Sequence, residues 1–420
     1  MKINKKLFIG LIITTCVISA GITVFLIITS LKPTQHPPPT PTPFESKIQN
    51  VMSDYKIPSL SAGIIINDKI VWASGFGEQP DLDTVYMIGS ITKTFTATAI
   101  LQLNESDLIN LDGDINNYLP FDVRHSNYPS IPITPRMLLT HKAGLPTNLF
   151  WSLEYYFDNQ TIDWINENLD LGGDIIKWDN RPSLEEFLNG SLNPHGQYYD
   201  PYNWQWRPGS EFHYSNAGFQ LLGYLIEQVT NKSWIKYIQE KIFNPLNMTN
   251  SGFEYGDFAE KNAIPYEWKD GGNFEYPIYN INVTGAGCLR STIPDMAKYL
   301  ITYINQGEYN GTQLLNPESV ELIHSNHVSL TGTSVEGFNY EGYGLGWFLY
   351  SENFKGHGGA TPGFSSNMYF KKNNEGAFGV ILMFNRGSAL IYDDTLINSF
   401  IPRINQLLLE RAEFLFQQAH

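Results

Sequence analysis

The chain has 420 residues, of which 42% are hydrophobic, 14% aromatic and only 16% charged; that balance excludes a disordered or charge-repeat protein. With residues 1–43 set aside as anchor and linker, 377 residues remain to fold, more than one core usually serves, so two lobes are expected. The net charge of −15 becomes −19 without the four lysines of residues 1–43, which contain no acid, and such a surface repels phosphate backbones and argues against a nucleic-acid partner.

Leu7 to Leu31 is a run of 25 uncharged residues, long enough to cross a hydrocarbon layer of about 30 Å as a helix. Lys2, Lys5 and Lys6 precede it. They predict a cytoplasmic tip (1–6), a transmembrane anchor (7–31) and a body outside the cytoplasm, so the chain is expected in the cell membrane as a single-pass protein. A cleaved signal peptide is the alternative, with Ile18-Ser19-Ala20 as small residues. A signal's apolar core is usually about 7–15 residues, which favours the anchor. Pro33, Pro37, Pro38, Pro39, Pro41 and Pro43 make 32–43 a polyproline-prone linker, and 44–420 is expected to fold. Seven Asn-x-Ser/Thr triplets, from Asn104 to Asn310, are compatible with glycosylation but also arise by chance in an asparagine-rich chain.

The body opens with a helical pattern over Phe44–Tyr55 and two apolar runs, Leu60–Ile66 and Ile70–Gly75, split by the turn-forming Asn67-Asp68. Helical patterns follow at Ser90–Leu103, Thr134–Thr140, Asn216–Thr230, Trp234–Phe243, Pro294–Ile304 and Pro317–His324. Strand character returns at Tyr343–Tyr350, Phe364–Lys371 and Phe378–Phe384, before a last helix over about Leu396–Phe414. The early hairpin would have bare edges alone, so it is expected to join the late strands in one antiparallel sheet beside a helical lobe, an α+β fold. The aromatic stretch Leu145–Pro208 either covers a cleft or packs as a loop without a substrate role. Of the two cysteines, only Cys288 lies in the body, so no disulfide framework forms there. Glu321, His324 and His327 have helical spacing that suits a metal, yet a solvated helix end is the expectation, and no metal or other cofactor is implied.

Three Ser-x-x-Lys tetrads occur: Ser53–Lys56, Ser90–Lys93 and Ser233–Lys236. Only Ser90 follows an extended segment (Thr84–Gly89) and opens a long apolar helix, which puts Lys93 one turn on, on the same face. A serine N-cap with a surface lysine is the plain alternative. Tyr214-Ser215-Asn216 stands just ahead of another helix, and His357-Gly358-Gly359, followed by Ala360, is the one His-x-Gly in the chain. Glycines there would let a substrate lie along a strand, with the Ala360 amide as an oxyanion donor beside that of Ser90. Taken singly, these are a tyrosine in a loop and a histidine in a Gly-rich turn.

In this order, and with Leu138–Leu145 and Gly285–Thr292, these motifs resemble the serine beta-lactamase-like family, which includes class C beta-lactamases, penicillin-binding-protein-like DD-peptidases, D-aminopeptidases and esterases. The resemblance covers about Phe44 to Phe400 and implies a site at the junction of sheet and helical lobe. It implies Ser90 as the acylated nucleophile, Lys93 as its activating partner, Tyr214 as a proton shuttle to the leaving group and Asn216 as a substrate-contacting amide. His357, with Gly359 and Ala360, falls where class C enzymes carry the lysine that binds a substrate carboxylate. That departure looks more like the D-aminopeptidase branch and favours a small-molecule ester, amide or peptide substrate over a beta-lactam. Arg290 or Arg386 would have to replace the missing cation. A scaffold that keeps the fold without turnover is the competing expectation.

Overall fold

The computed structural model describes residues 41–145, 159–168, 183–258, 260–277, 279–280, 285–334, 337–387 and 393–419. The expected anchor at 7–31 lies outside the described residues, as do 146–158 and 169–182 of the aromatic stretch. Among the described residues no helix is long and apolar enough to cross a membrane. The chain divides into two compact units, Met1–Lys47 and Ile48–His420, and helix α1 (Pro43–Tyr55) leads into the second.

In the second unit, β1 (Ser59–Ile66) and β2 (Lys69–Gly77) form the expected hairpin, with Asn67 in the left-handed conformation such turns favour. The chain then runs through β3 (Tyr86–Met87), α2 (Thr92–Glu105), α3 (Pro135–Leu139), α4 (Asn159–Asn168), α5 (Leu184–Leu192), α6 (Asn216–Thr230) and α7 (Trp234–Ile238). Next come β4 (Tyr266–Lys269), β5 (Gly272–Glu275), β6 (Arg290–Ser291), α8 (Ile293–Ile304), β7 (Glu308–Tyr309), β8 (Thr312–Gln313), α9 (Pro317–Ile323), β9 (Val328–Ser329) and β10 (Tyr340–Tyr343). The chain closes with β11 (Phe348–Tyr350), β12 (Phe354–Thr361), β13 (Phe364–Lys372), β14 (Ala377–Phe384) and α10 (Ile401–Gln418).

The principal sheet has the order β2-β1-β14-β13-β12-β11-β10-β9 and is antiparallel throughout. The early hairpin thus joins the late strands, Leu60 opposite Phe384 and Ile66 opposite Phe378. Every residue of β1 and β14 is buried, so both faces are covered. Alternation along β14 assigns the covers: Gly379 lies under Leu300 of α8, while Phe378 packs on Phe416 of α10. Helix α2 is buried almost all round, and its threonines spend their hydroxyls internally, Thr94 on the Ile91 carbonyl and Thr96 on that of Gly285. One continuous apolar cluster links α2, α6 and α8 with β13 and β14.

Three expectations need correction. Tyr343–Tyr350, read as one strand, is the hairpin β10–β11, broken where Gly346 takes a positive φ. Phe354–Thr361, absent from the expected strands, forms β12 with His357 in mid-strand. His324, expected at a solvated helix end, has its ring among Tyr303, Trp347 and Phe370, and burial holds its pKa well below the ordinary value. His327 bonds the Leu322 carbonyl, and among the described residues no group of His, Cys, Asp or Glu is arranged to hold a metal ion.

Candidate active site

The segment Met87-Ile88-Gly89 is held by β3 pairing with β6 and by the Ile88 amide on the Leu289 carbonyl. A single 3-10 turn, Gly89–Ile91, then leads into α2 and presents Ser90, half-buried, at the helix entrance. Gly89 adopts φ +52, and a Cβ there would meet the Ala360 amide nitrogen at 2.7 Å, so only glycine fits between Ser90 and β12. Gly359 makes the reciprocal approach: a Cβ on it would lie 2.0 Å from the Ile88 carbonyl oxygen. Its lack of a side chain therefore serves strand-to-turn packing first. The Ser366 hydroxyl donates to that same Ile88 carbonyl and fixes the distance.

Lys93, one turn into the helix, is fully buried. Its Nζ lies 2.9 Å from Ser90 Oγ, 2.8 Å from Asn216 Oδ1 and 2.9 Å from the Ala286 carbonyl oxygen, and 4.9 Å above the Tyr214 ring. Three acceptors match the three protons of an ammonium, so the buried charge is satisfied. Asn216 Oδ1 and the Ala286 carbonyl can only accept. When the amine is neutral its two protons stay on them and its lone pair faces the Ser90 hydroxyl. The geometry thus accommodates both the charged and the neutral amine.

Ser215 caps α6 through its hydroxyl on the Gly218 amide, which sets Asn216 at the first helical position and Tyr214 just outside it. The Tyr214 ring lies 6.3 Å from that of His357 and 4.3 Å from that of His141. His357 is 2% exposed, with its ring beside Phe348 and Tyr343. Its Nδ1 donates to the Gly358 carbonyl, and among the described residues Nε2, a buried acceptor, has no hydrogen-bond partner. Burial, with the Lys93 charge adding to it, lowers its pKa to about 3, so the ring is neutral at physiological pH.

β11 pairs with β12 only over Phe354–Gly356, whereas β13 pairs with it over Phe354–Thr361. Among the described residues no strand pairs with the β11-side edge of 357–361, beside the Ser90 turn, where an extended substrate can add as a strand. All seven expected residues meet here: Ser90, Lys93 and Asn216 by hydrogen bonds, Tyr214 and His357 by ring contacts, Gly359 and Ala360 by backbone approach. Cys288 is buried beside the turn, and burial raises its thiol pKa to about 12, so it is no nucleophile. Arg290 and Arg386 do not supply the missing cation. Arg290 is buried against the Tyr279 carbonyl and Asn262, and Arg386 is spent on Asp393 and the Tyr55 carbonyl.

Two contributors were not read from sequence. The Ala286 carbonyl is invisible as chemistry; only the glycines flanking it hint at backbone exposed for use. His141 sits inside the Leu138–Leu145 motif with no role attached. The described part of the aromatic stretch packs here too, since a Cβ on Gly144 would meet the Trp206 carbonyl oxygen at 2.2 Å and Trp206 stacks on His213.

The sequence profile of the Beta-lactamase family matches residues 44–397. The chain belongs to the Beta-lactamase family. Protein flp of Staphylococcus aureus is 26% identical over 355 residues, which cover 82% of this chain and 62% of flp, so the chain spans under two thirds of that curated relative. Among solved structures, an octameric penicillin-binding protein homologue from Pyrococcus abyssi superposes with a TM-score of 0.69 at 29% identity, over 89% of this chain and 76% of that one. The D-amino acid amidase of Ochrobactrum anthropi SV3 shares the fold, with a TM-score of 0.64 at 20% identity over 90% of this chain and 99% of that one.

Proposed function

We propose that this protein is a serine hydrolase that cleaves small esters, amides or peptides through an acyl-enzyme on Ser90. The observation that carries the reading is the placement of Lys93 Nζ, 2.9 Å from Ser90 Oγ with its other two contacts on obligate acceptors. The amine lone pair takes the hydroxyl proton as Ser90 Oγ attacks the substrate carbonyl carbon. The Ser90 and Ala360 amides hold the oxyanion, and Tyr214 passes a proton to the departing alkoxide or amine as the acyl bond breaks. Water then attacks the ester on Ser90, loses its proton to the same groups, and leaves the acid product and free serine.

A neutral His357 with a spare acceptor, and arginines engaged elsewhere, favour substrates that bring a hydrogen-bond donor rather than a carboxylate. The apolar run 7–31 supports a membrane-anchored body acting outside the cytoplasm, testable by protease accessibility in intact cells. For the chemistry, hydrolysis of a neutral 4-nitrophenyl ester is compared with that of a chromogenic cephalosporin. Preference for the ester is expected. Preference for the cephalosporin would turn the reading to a beta-lactamase or D-Ala-D-Ala carboxypeptidase, and turnover of neither would favour a non-catalytic scaffold.

A further inference from the structure

We propose that His141 is the positioning residue for Tyr214, clamping the segment 213–215 from both sides so that the phenol stays aimed at the leaving group; the inference rests on the acyl-enzyme reading of Ser90.

The backbone amides on either side of Tyr214 both end on His141. His213 N donates to the His141 carbonyl at 2.9 Å, and Ser215 N donates to His141 Nδ1 at 3.0 Å. Because Nδ1 accepts, the proton of the neutral ring sits on Nε2, which donates to the Tyr343 hydroxyl at 3.1 Å. The ring lies against Tyr214 at 4.3 Å and Phe219 at 5.1 Å. Tyr343 is itself buried in β10, so the clamp is anchored in the sheet while it grips a loop of the helical part.

Two further observations fit a tuned part better than ordinary packing. His141 adopts φ +54, a left-handed conformation uncommon outside glycine, which fixes the direction of its carbonyl toward His213 N. Burial first, with the charges of Lys93 and His357 adding to it, keeps its pKa well below the ordinary value, so Nδ1 keeps the lone pair that Ser215 needs. His141 acts through Tyr214, whose flanking amides and ring it holds.

The test uses phenyl acetate and 4-nitrophenyl acetate, which give the same acetyl-enzyme but differ in how much their leaving group needs a proton. His141→Phe keeps a ring and loses both side-chain hydrogen bonds. It is expected to lower kcat/KM for phenyl acetate by about 10–100-fold, the scale of a misplaced catalytic group, and that for 4-nitrophenyl acetate far less. His141→Asn keeps an acceptor for Ser215 and tolerates the left-handed backbone, so it should recover most of the loss. In a Tyr214→Phe background, His141→Phe should add no further loss. Equal losses on both esters that multiply with Tyr214→Phe would make His141 a packing residue and overturn the proposal, and so would unchanged kinetics in folded His141→Phe. Should His141→Phe fail to fold, the same comparison is made with His141→Asn and with Tyr343→Phe, which removes the outer anchor alone. A wild-type protein that is not acetylated on Ser90 by either ester would instead sink the acyl-enzyme reading itself, a separate and recognisable result.

Discussion

The two walls of the cleft treat their buried ionisable groups in opposite ways. On the nucleophile wall, Lys93 is 0% exposed and each of its three protons has an acceptor, drawn from the Ser90 turn, α6 and the Gly285–Gly287 loop. On the strand wall, His357 is nearly as deeply buried, yet among the described residues its Nδ1 bonds only its own chain neighbour and Nε2 has no hydrogen bond. An unpaired buried nitrogen costs about 1–3 kcal/mol, and an unpaired buried ammonium would cost several. On the proposed reading, the fold completes the group that would move a proton and leaves a spare acceptor on the group that would meet a substrate.

The sharpest way to break this contrast is to remove each wall's key group and compare. Lys93→Met should strand Asn216 Oδ1 and the Ala286 carbonyl and lower kcat/KM by about 10³-fold or more, as loss of a reacting group does. His357→Gln should cost about tenfold or less in steady-state assays, since a recognition contact is worth less than a proton-transfer group. Comparable losses would erase the distinction between the walls. Tyr214→Phe is expected to slow turnover by about 10²-fold, with wild-type rates meaning that Lys93 works alone.

A milder change sharpens the strand wall. His357→Lys should raise the ratio of kcat/KM for an ester bearing a carboxylate over its neutral analogue by about tenfold, because a cation would replace a neutral acceptor. An unchanged ratio would mean that substrate does not read position 357.

A separate effect, on stability and not on rate, concerns pH. The unfolded His357 titrates near 6.5 and the folded one near 3, so between those values the unfolded state binds the extra proton. Stability is thus at its full value above pH 6.5 and falls as pH drops toward 3, by up to about 1.4 kcal/mol per pH unit from this group. His357→Gln should flatten urea-unfolding stability against pH over that window; an identical slope would mean that His357 is not held neutral.

Much of this arrangement is legible in sequence because it obeys local rules. The Ser90–Lys93 spacing, the Asn67-Asp68 turn and the helix opening at Asn216 each have a short-range cause. The failures are equally physical. β12 holds Gly356, Gly358 and Gly359 and a single β-branched residue, Thr361, so little in it announces a strand, and Gly359 sits where the Ile88 carbonyl passes too close for a Cβ. Tyr343–Tyr350 is apolar enough for one strand, but the positive φ at Gly346 folds it back. His324 follows a polar helix and looked solvated, since no local signal shows Trp347 and Phe370 arriving from the sheet. His141 was missed for the same reason: its partners Ser215 and Tyr343 lie 74 and 202 residues away.

The central claim is that Ser90 becomes covalently acylated, and it is tested most directly on the folded protein by intact-mass spectrometry after brief exposure to 4-nitrophenyl acetate, with peptide mapping. The account predicts one acetyl group, mapped to Ser90, absent in Ser90→Ala and released from the wild type with time. No adduct on folded wild-type protein, or an adduct that survives Ser90→Ala, would contradict it.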